Sequence, residues 1–156
     1  MNKSNLLKEM VLREVEKKDC ALIYNWAIDE HVRINSFSSE KIFYDDHIKW
    51  FNKKINNINN YFFILVHKGI DVGVIRLDVE NQKGIISYSI SKDFREKGYG
   101  SIIIEKLDEK IKECELDIHE LYGEVKYTNK ASQKIFKKFG YKEYPLQDKL
   151  VYKKEL

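Results

Sequence analysis

Apolar residues recur along this chain with two different periods, and each change of period marks an element. Met10-Val-Leu-Arg-Glu-Val15 reads as a short strand. From Lys17 to about Glu30, Ala21, Ile23, Trp26 and Ala27 fall at helical spacing, with Asp19 as the candidate N-cap. His31 to Phe43 has no period and is rich in Ser and Asn, so it reads as a loop. The segment opening at Tyr44-Asp-Asp places His47, Trp50, Phe51, Ile55 and Ile58 on one helical face, with Asp45 and Asp46 in the first turn.

The period then changes to two. Tyr61-Phe-Phe-Ile-Leu-Val-His67 is an aromatic and β-branched run suited to a buried strand. Turns at Lys68-Gly69 and Asn81–Gly84 separate it from strands at Asp71–Val79 and Ile85–Ile90, which predicts an antiparallel meander. After a loop, Ser91 to Gly100, a helix from about Gly98 to Cys114 carries an Ile103, Leu107, Ile111, Cys114 stripe. His119–Val125 reads as a strand. Asn129–Phe139 reads as a helix with Ala131, Ile135, Phe136 and Phe139 inward, and Gly140 stops it. Tyr141–Tyr144 and Leu150–Lys153 read as closing strands. This order predicts an α/β or α+β domain on one mixed sheet, spanning residues 1–156 without an internal boundary.

Composition narrows the function classes. With 43% hydrophobic and 34% charged residues, the chain is expected to be globular and soluble. Its net charge of +3 gives no electrostatic case for nucleic acid or an anionic membrane. No apolar run suits a spanning helix, and the first residues lack a secretory core. Cys20 and Cys114 are far apart and without metal spacing, so they read as reduced thiols of a cytoplasmic protein that holds no metal.

The chemistry concentrates in Phe94-Arg-Glu-Lys-Gly-Tyr-Gly-Ser101, between a strand and a helix. Glycines there permit a tight turn and close ligand approach. The helix start offers free N–H groups and a positive dipole end, which suit a diphosphate. A dinucleotide fingerprint fails because Ile103 stands where a third glycine is needed, and a P-loop fails for want of Gly-Lys-Ser/Thr. What remains is a phosphate-bearing cofactor held mainly by backbone.

Arg95-x-x-Gly98-x-Gly100 resembles the signature of the GCN5-related N-acetyltransferases (GNAT). Asn129-Lys-Ala-Ser132, followed by Phe136 and Gly140-Tyr141, resembles their second motif. The element order agrees over nearly the whole chain. The resemblance implies one mostly antiparallel sheet of about seven strands flanked by about four helices. It implies acetyl-CoA as cosubstrate, its pantetheine arm along Tyr88, Ser89 and Ile90 and its diphosphate near Arg95 and on Lys97, Gly98, Tyr99, Gly100 and Ser101. Asn129 and Ser132 would face the cofactor. The reaction implied is direct attack of an amine on the thioester, with a backbone N–H stabilising the oxyanion. Homodimers are common among such relatives, which leaves a homodimer open here.

Two family features are missing. Phe136 stands where many members carry a proton-donating tyrosine, and Ile85 where many carry a glutamate. Candidate bases are His31, His47 and Glu124, or a water held by Ser87, Ser89 or Tyr88; Tyr127 or water is a candidate acid. The N-terminal half resembles the acetyltransferases of the pseudaminic-acid pathway through Tyr24–Arg33, 35–39, Tyr44–Phe51 and Gly73–Asp78. That implies a small-molecule amine acceptor, the 4-amino group of a UDP-linked 4-amino-4,6-dideoxy sugar. Arg33, Asn35, Phe37 and Arg76 are its candidate contacts, with Lys49 as a further cation for the phosphates and the Trp26 and Trp50 rings for stacking. The alternatives are a protein N-terminal acetyltransferase of the ribosomal-protein type and a non-catalytic acetyl-CoA-binding module.

Overall fold

The computed structural model describes residues 3–38 and 40–156. Ser39, inside the stretch read as a loop and as part of the acceptor-side resemblance, lies outside them with Met1 and Asn2. Helix α1 (Lys3–Glu9) runs into strand β1 (Met10–Glu14), and a 3₁₀ turn, Lys17–Asp19, leads into α2 (Cys20–Ala27). Next come α3 (Glu30–Asn35), α4 (Tyr44–Ile55), the strands β2 (Asn60–His67), β3 (Ile70–Glu80) and β4 (Lys83–Ile90), and α5 (Tyr99–Glu113). Strand β5 (Glu120–Val125), α6 (Lys130–Lys138), β6 (Lys142–Pro145) and β7 (Leu150–Glu155) complete the order.

Several readings change. The helix expected over 17–30 breaks after Ala27, because Asp29 leaves helical geometry (φ −54°, ψ 136°) and accepts hydrogen bonds from the His31 and Val32 amides. The same cap starts α3 inside the segment read as a loop; a short carboxylate outcompetes continuation of the first helix. Asp19 does not cap α2 with its side chain, which pairs instead with Arg13 at 2.8 Å. Ile58 lies beyond the end of α4 and is 87% exposed, and Ala131 is exposed on α6.

The seven strands form one sheet in the order β1-β2-β3-β4-β5-β7-β6. The first four pair antiparallel, and β2, β3 and β4 form a meander whose two connections place Lys68-Gly69 and Asn81-Gln82 at positive φ, as two-residue hairpin turns of the right twist require. Both faces of the sheet are covered. Phe63, Leu65 and Leu77 pack with Ile103 and Leu107 of α5 and Phe136 of α6. Phe62 and Ile64 pack with Ile23 of α2 and Phe51 of α4. Burial on both faces explains why β2 is a continuous apolar run rather than an alternating one.

Strands β4 and β5 lie parallel, but pair only over Lys83–Ile85 and Glu120–Tyr122. Beyond Ile85, β4 keeps its β3 partner and has none on the other side. This one-sided strand end positions everything that follows.

Candidate active site at the open edge of β4

The direction of the free backbone groups follows from the ladder. Ser91 N–H donates to Val72 O at 2.9 Å, in register with the Gly73–Ile90 and Val74–Ser89 pairs. Hydrogen-bonded and non-bonded pairs alternate in an antiparallel ladder. Ser89 and Ser87 therefore bond to β3, while the main-chain groups of Tyr88 and Ile90 face the gap left by β5. The Ile90 carbonyl is already taken, accepting from Arg95 Nε at 3.1 Å.

Two cavities flank this edge. One, of about 690 Å³, lies toward α2 and α4 and is lined by Trp26, Phe43, His47, Trp50, Phe62 and Arg76, among others. The second, of about 640 Å³, runs between the start of α5 and α6, past Arg95, Gly98–Ser101, Asn129 and Ser132. Val32, Ser36, Ser87, Tyr88 and Ser89 border both, so the cavities meet at the open end of β4.

The second cavity has the features of a diphosphate cradle. Gly98 sits at φ +88°, at the N-cap of the fifteen-residue α5, with open space where a Cβ would be. That leaves the first amides of α5 accessible. Gly100 serves packing instead: a Cβ there would come 2.8 Å from Ile135 Cδ1 on α6. Tyr99 borders the same cavity. Its hydroxyl meets His67 Nδ1 at 2.7 Å, and His67 Nε2 lies 3.2 Å from Glu9 Oε2, which anchors the helix start to the far edge of the sheet. Lys97 Nζ donates to Asp93 O at 3.2 Å. Asn129 caps α6, accepting from the Ser132 amide at 3.3 Å.

Tyr88 and Ser132 share a 2.6 Å hydrogen bond between their hydroxyls where the cavities join. Burial pushes the Tyr88 phenol up, against a smaller opposing effect of Ser132, so it stays protonated at neutral pH. Phe136 is a core ring, stacked on Tyr152 at 5.4 Å with its tip against Gly123. Tyr127, the sequence candidate for an acid, donates its hydroxyl to Leu146 O.

The three candidate bases separate. His47 is buried in the first cavity, its Nε2 3.0 Å from Cys20 O. A carbonyl only accepts, so Nε2 carries the proton and Nδ1 keeps its lone pair. Burial pushes this imidazole down from its ordinary value, which keeps it neutral. His31 and Glu124 border the second cavity only. His31 Nε2 lies 3.2 Å from Asn35 Nδ2, and Glu124 is held by Lys149 at 2.8 Å.

The acceptor-side candidates separate too. Asn35 and Phe37 line the second cavity rather than the first, because α3 turns them over the α5 side. Arg33 borders the first cavity, but donates to the Ser38 and Glu40 carbonyls and so pins the loop after α3. Lys49 is on the exposed face of α4. Arg76 lies in the first cavity, 5.0 Å from the Trp50 ring, with its Nε donating to both oxygens of Asp78. Sequence reading missed Phe62, Val32 and above all Asp29. The signal for Asp29 was present, as an Asp before Glu30 is an N-cap pattern.

Among the described residues, no group of three or more His, Cys, Asp or Glu side chains is placed to hold a metal, and no helix is long and apolar enough to cross a membrane. The family model described as acetyltransferase (GNAT) domain matches residues 9–142. No curated protein matches the sequence significantly. Solved structures of the same fold include spermidine N-acetyltransferase from Vibrio cholerae in complex with CoA and spermine. It is 18% identical with a TM-score of 0.83, over 95% of this chain and 96% of that one. A ribosomal L7/L12 alpha-N-protein acetyltransferase in complex with coenzyme A is 12% identical, TM-score 0.80, over 95% and 94%. A domain from Methanocaldococcus jannaschii is 16% identical, TM-score 0.80, over 94% and 98%.

Proposed function

The chain belongs to the GNAT acetyltransferase family and is an acetyl-CoA-dependent N-acetyltransferase; on that premise we propose that its acceptor is an amine on a molecule with a planar body and an anionic group, specifically a UDP-linked 4-amino-4,6-dideoxy sugar. The observation that carries this reading is the meeting of two cavities at the unpaired end of β4, one with a cradle for a diphosphate and the other with a cation stacked on aromatic rings.

Acetyl-CoA supplies the acetyl group as an activated thioester. The residues present fit it: the amides at the start of α5 and the open space at Gly98 suit the diphosphate, and the Tyr88 and Ile90 main chain suits an amide-bearing arm. With acetyl-CoA in place, the Ile90 N–H would be the donor to the acetyl carbonyl oxygen as negative charge grows there; a preorganised donor of this kind is worth roughly 3 kcal/mol. His47 Nδ1, neutral and tautomerically fixed, accepts the amine proton through water on the Ser87 and Ser89 hydroxyls. Tyr88, coupled to Ser132, protonates the departing sulfur. The phenol thereby takes the place of the hydroxyl that Phe136 lacks.

In the acceptor cavity, Asp78 holds the Nε edge of the Arg76 guanidinium, Ser87 Oγ accepts from Nη2 at 3.4 Å and Trp50 covers a face, which leaves Nη1 to read an anion. The Trp26 and Phe43 rings suit a planar base. A cavity of this size takes a nucleotide-sized body.

The test is CoA release with UDP-4-amino sugars, N-terminal peptides and spermidine as acceptors. Turnover is expected with the nucleotide sugar, and Arg76→Ala should raise its KM about tenfold or more, the worth of one charge-assisted hydrogen bond, with kcat little changed. Turnover of peptides or spermidine without the sugar overturns the acceptor.

A further inference from the structure

We infer that Arg95 and Asp29 are a positioning pair that carries the ordering of the cofactor loop to α3, so that filling the second cavity builds the wall of the first. The inference rests on the reading that coenzyme A binds at the start of α5.

Arg95 lies three residues before Gly98, and charge alone would send it to a phosphate. Its guanidinium is otherwise engaged. Nη2 donates to Asp29 Oδ1 at 2.6 Å, and Nε donates to Ile90 O at 3.1 Å. One side chain thus ties the open end of β4 to a residue 66 positions away. The same Oδ1 accepts from the His31 amide at 3.1 Å and the Val32 amide at 3.3 Å, so the carboxylate that Arg95 holds is also the cap of α3. Burial acts to raise the Asp29 pKa, but Arg95 and the two amides outweigh it and hold the carboxyl below its ordinary range.

Helix α3 depends on such tethers. It has six residues, and none of them is buried. A helix this short does not hold itself together in water, and among the described residues none of α3 joins either core cluster. Its other tether across the gap is Lys126 Nζ, which donates to Ile34 O at 2.9 Å. Yet α3 forms part of both cavities: Val32 borders the junction, while His31 and Asn35 border the cofactor side. A ligand that immobilises the loop of Arg95 therefore immobilises Asp29, and through its cap α3. Linkage makes the effect reciprocal, so an acceptor held against α3 tightens coenzyme A by the same factor.

Hydrogen exchange of amides 30–36, with and without coenzyme A, tests the pair, with affinity for coenzyme A measured by calorimetry on the same samples. In the parental protein, coenzyme A should slow this exchange about fivefold or more, the lower end of ordinary coupling. Asp29→Asn keeps an N-cap but loses the charge that Arg95 meets. It should still bind coenzyme A, while its α3 exchange no longer responds. Arg95→Ala should lose the response as well. A response of equal size in both variants overturns the pairing, as does a parental protein that binds coenzyme A without any change in α3. Gly98→Glu separates this from failure of the cofactor placement. It should abolish binding; if coenzyme A binds it at parental affinity, the placement at the α5 start falls, and the coupling built on it falls too.

Discussion

His47 shows how much of a residue's chemistry comes from its surroundings. As a sequence position it is one imidazole on an apolar helix face. In the fold it is buried among Tyr24, Tyr44, Trp50 and Phe51, with one nitrogen fixed by the Cys20 carbonyl. Burial lowers its folded pKa below the unfolded value, about 6.5. Protons then bind the unfolded chain first. The stability this residue protects is complete above the unfolded value and falls as pH drops from there toward the folded value. Urea midpoints between pH 8 and pH 5 should decline in the parental protein. They should decline less in His47→Gln, whose amide can still donate to the Cys20 carbonyl. Equal slopes would show that another group carries the acid sensitivity. Arg76 teaches the same lesson: a strand cation that the sequence offers only as a candidate contact lies, in the fold, over two rings, Trp50 and Phe62.

At the level of elements, the ends matter more than the middles. Helices α4, α5 and α6 follow from their apolar stripes, and their interiors stand where the periodicity puts them. Ends are set by single side chains. Asn129 caps α6 through the Ser132 amide, and α6 carries the hydroxyl that meets Tyr88. Asn129→Ala should cost about 1 kcal/mol in denaturant unfolding, and it should weaken coenzyme A binding by loosening Ser132. Unchanged stability would mean that packing of Phe136 alone holds this end. The boundary between α2 and α3 was hidden because helical spacing runs through Trp26 and Ala27 up to the break, and Asp29 stops the helix by competition for amides rather than by lacking propensity. The one-sided end of β4 was hidden for another reason: its residues alternate like those of any paired strand, and pairing depends on where β5 diverges.

For the whole molecule, one sheet joins two half-cores. Strand β2 sends Phe62 and Ile64 to the α2 and α4 side and Phe63 and Leu65 to the α5 and α6 side. A defect on either face is therefore felt by the same strand. Phe51→Ala, at a side chain 1% exposed, should cost about 3–5 kcal/mol. It should leave a single transition in which tryptophan fluorescence and far-ultraviolet dichroism coincide. Separate transitions would show that the α2 and α4 half melts alone. The sequence by itself determined the meander, the three long helices, the glycine turn before α5 and the family, because hydrophobic period and short motifs are local and one chain segment suffices to specify each. The tertiary structure decided the contents of the two cavities, the Tyr88–Ser132 bond across 44 positions and the Arg95–Asp29 pair across 66. Those depend on which remote groups the folded sheet brings within hydrogen-bond reach, and no local pattern carries that distance.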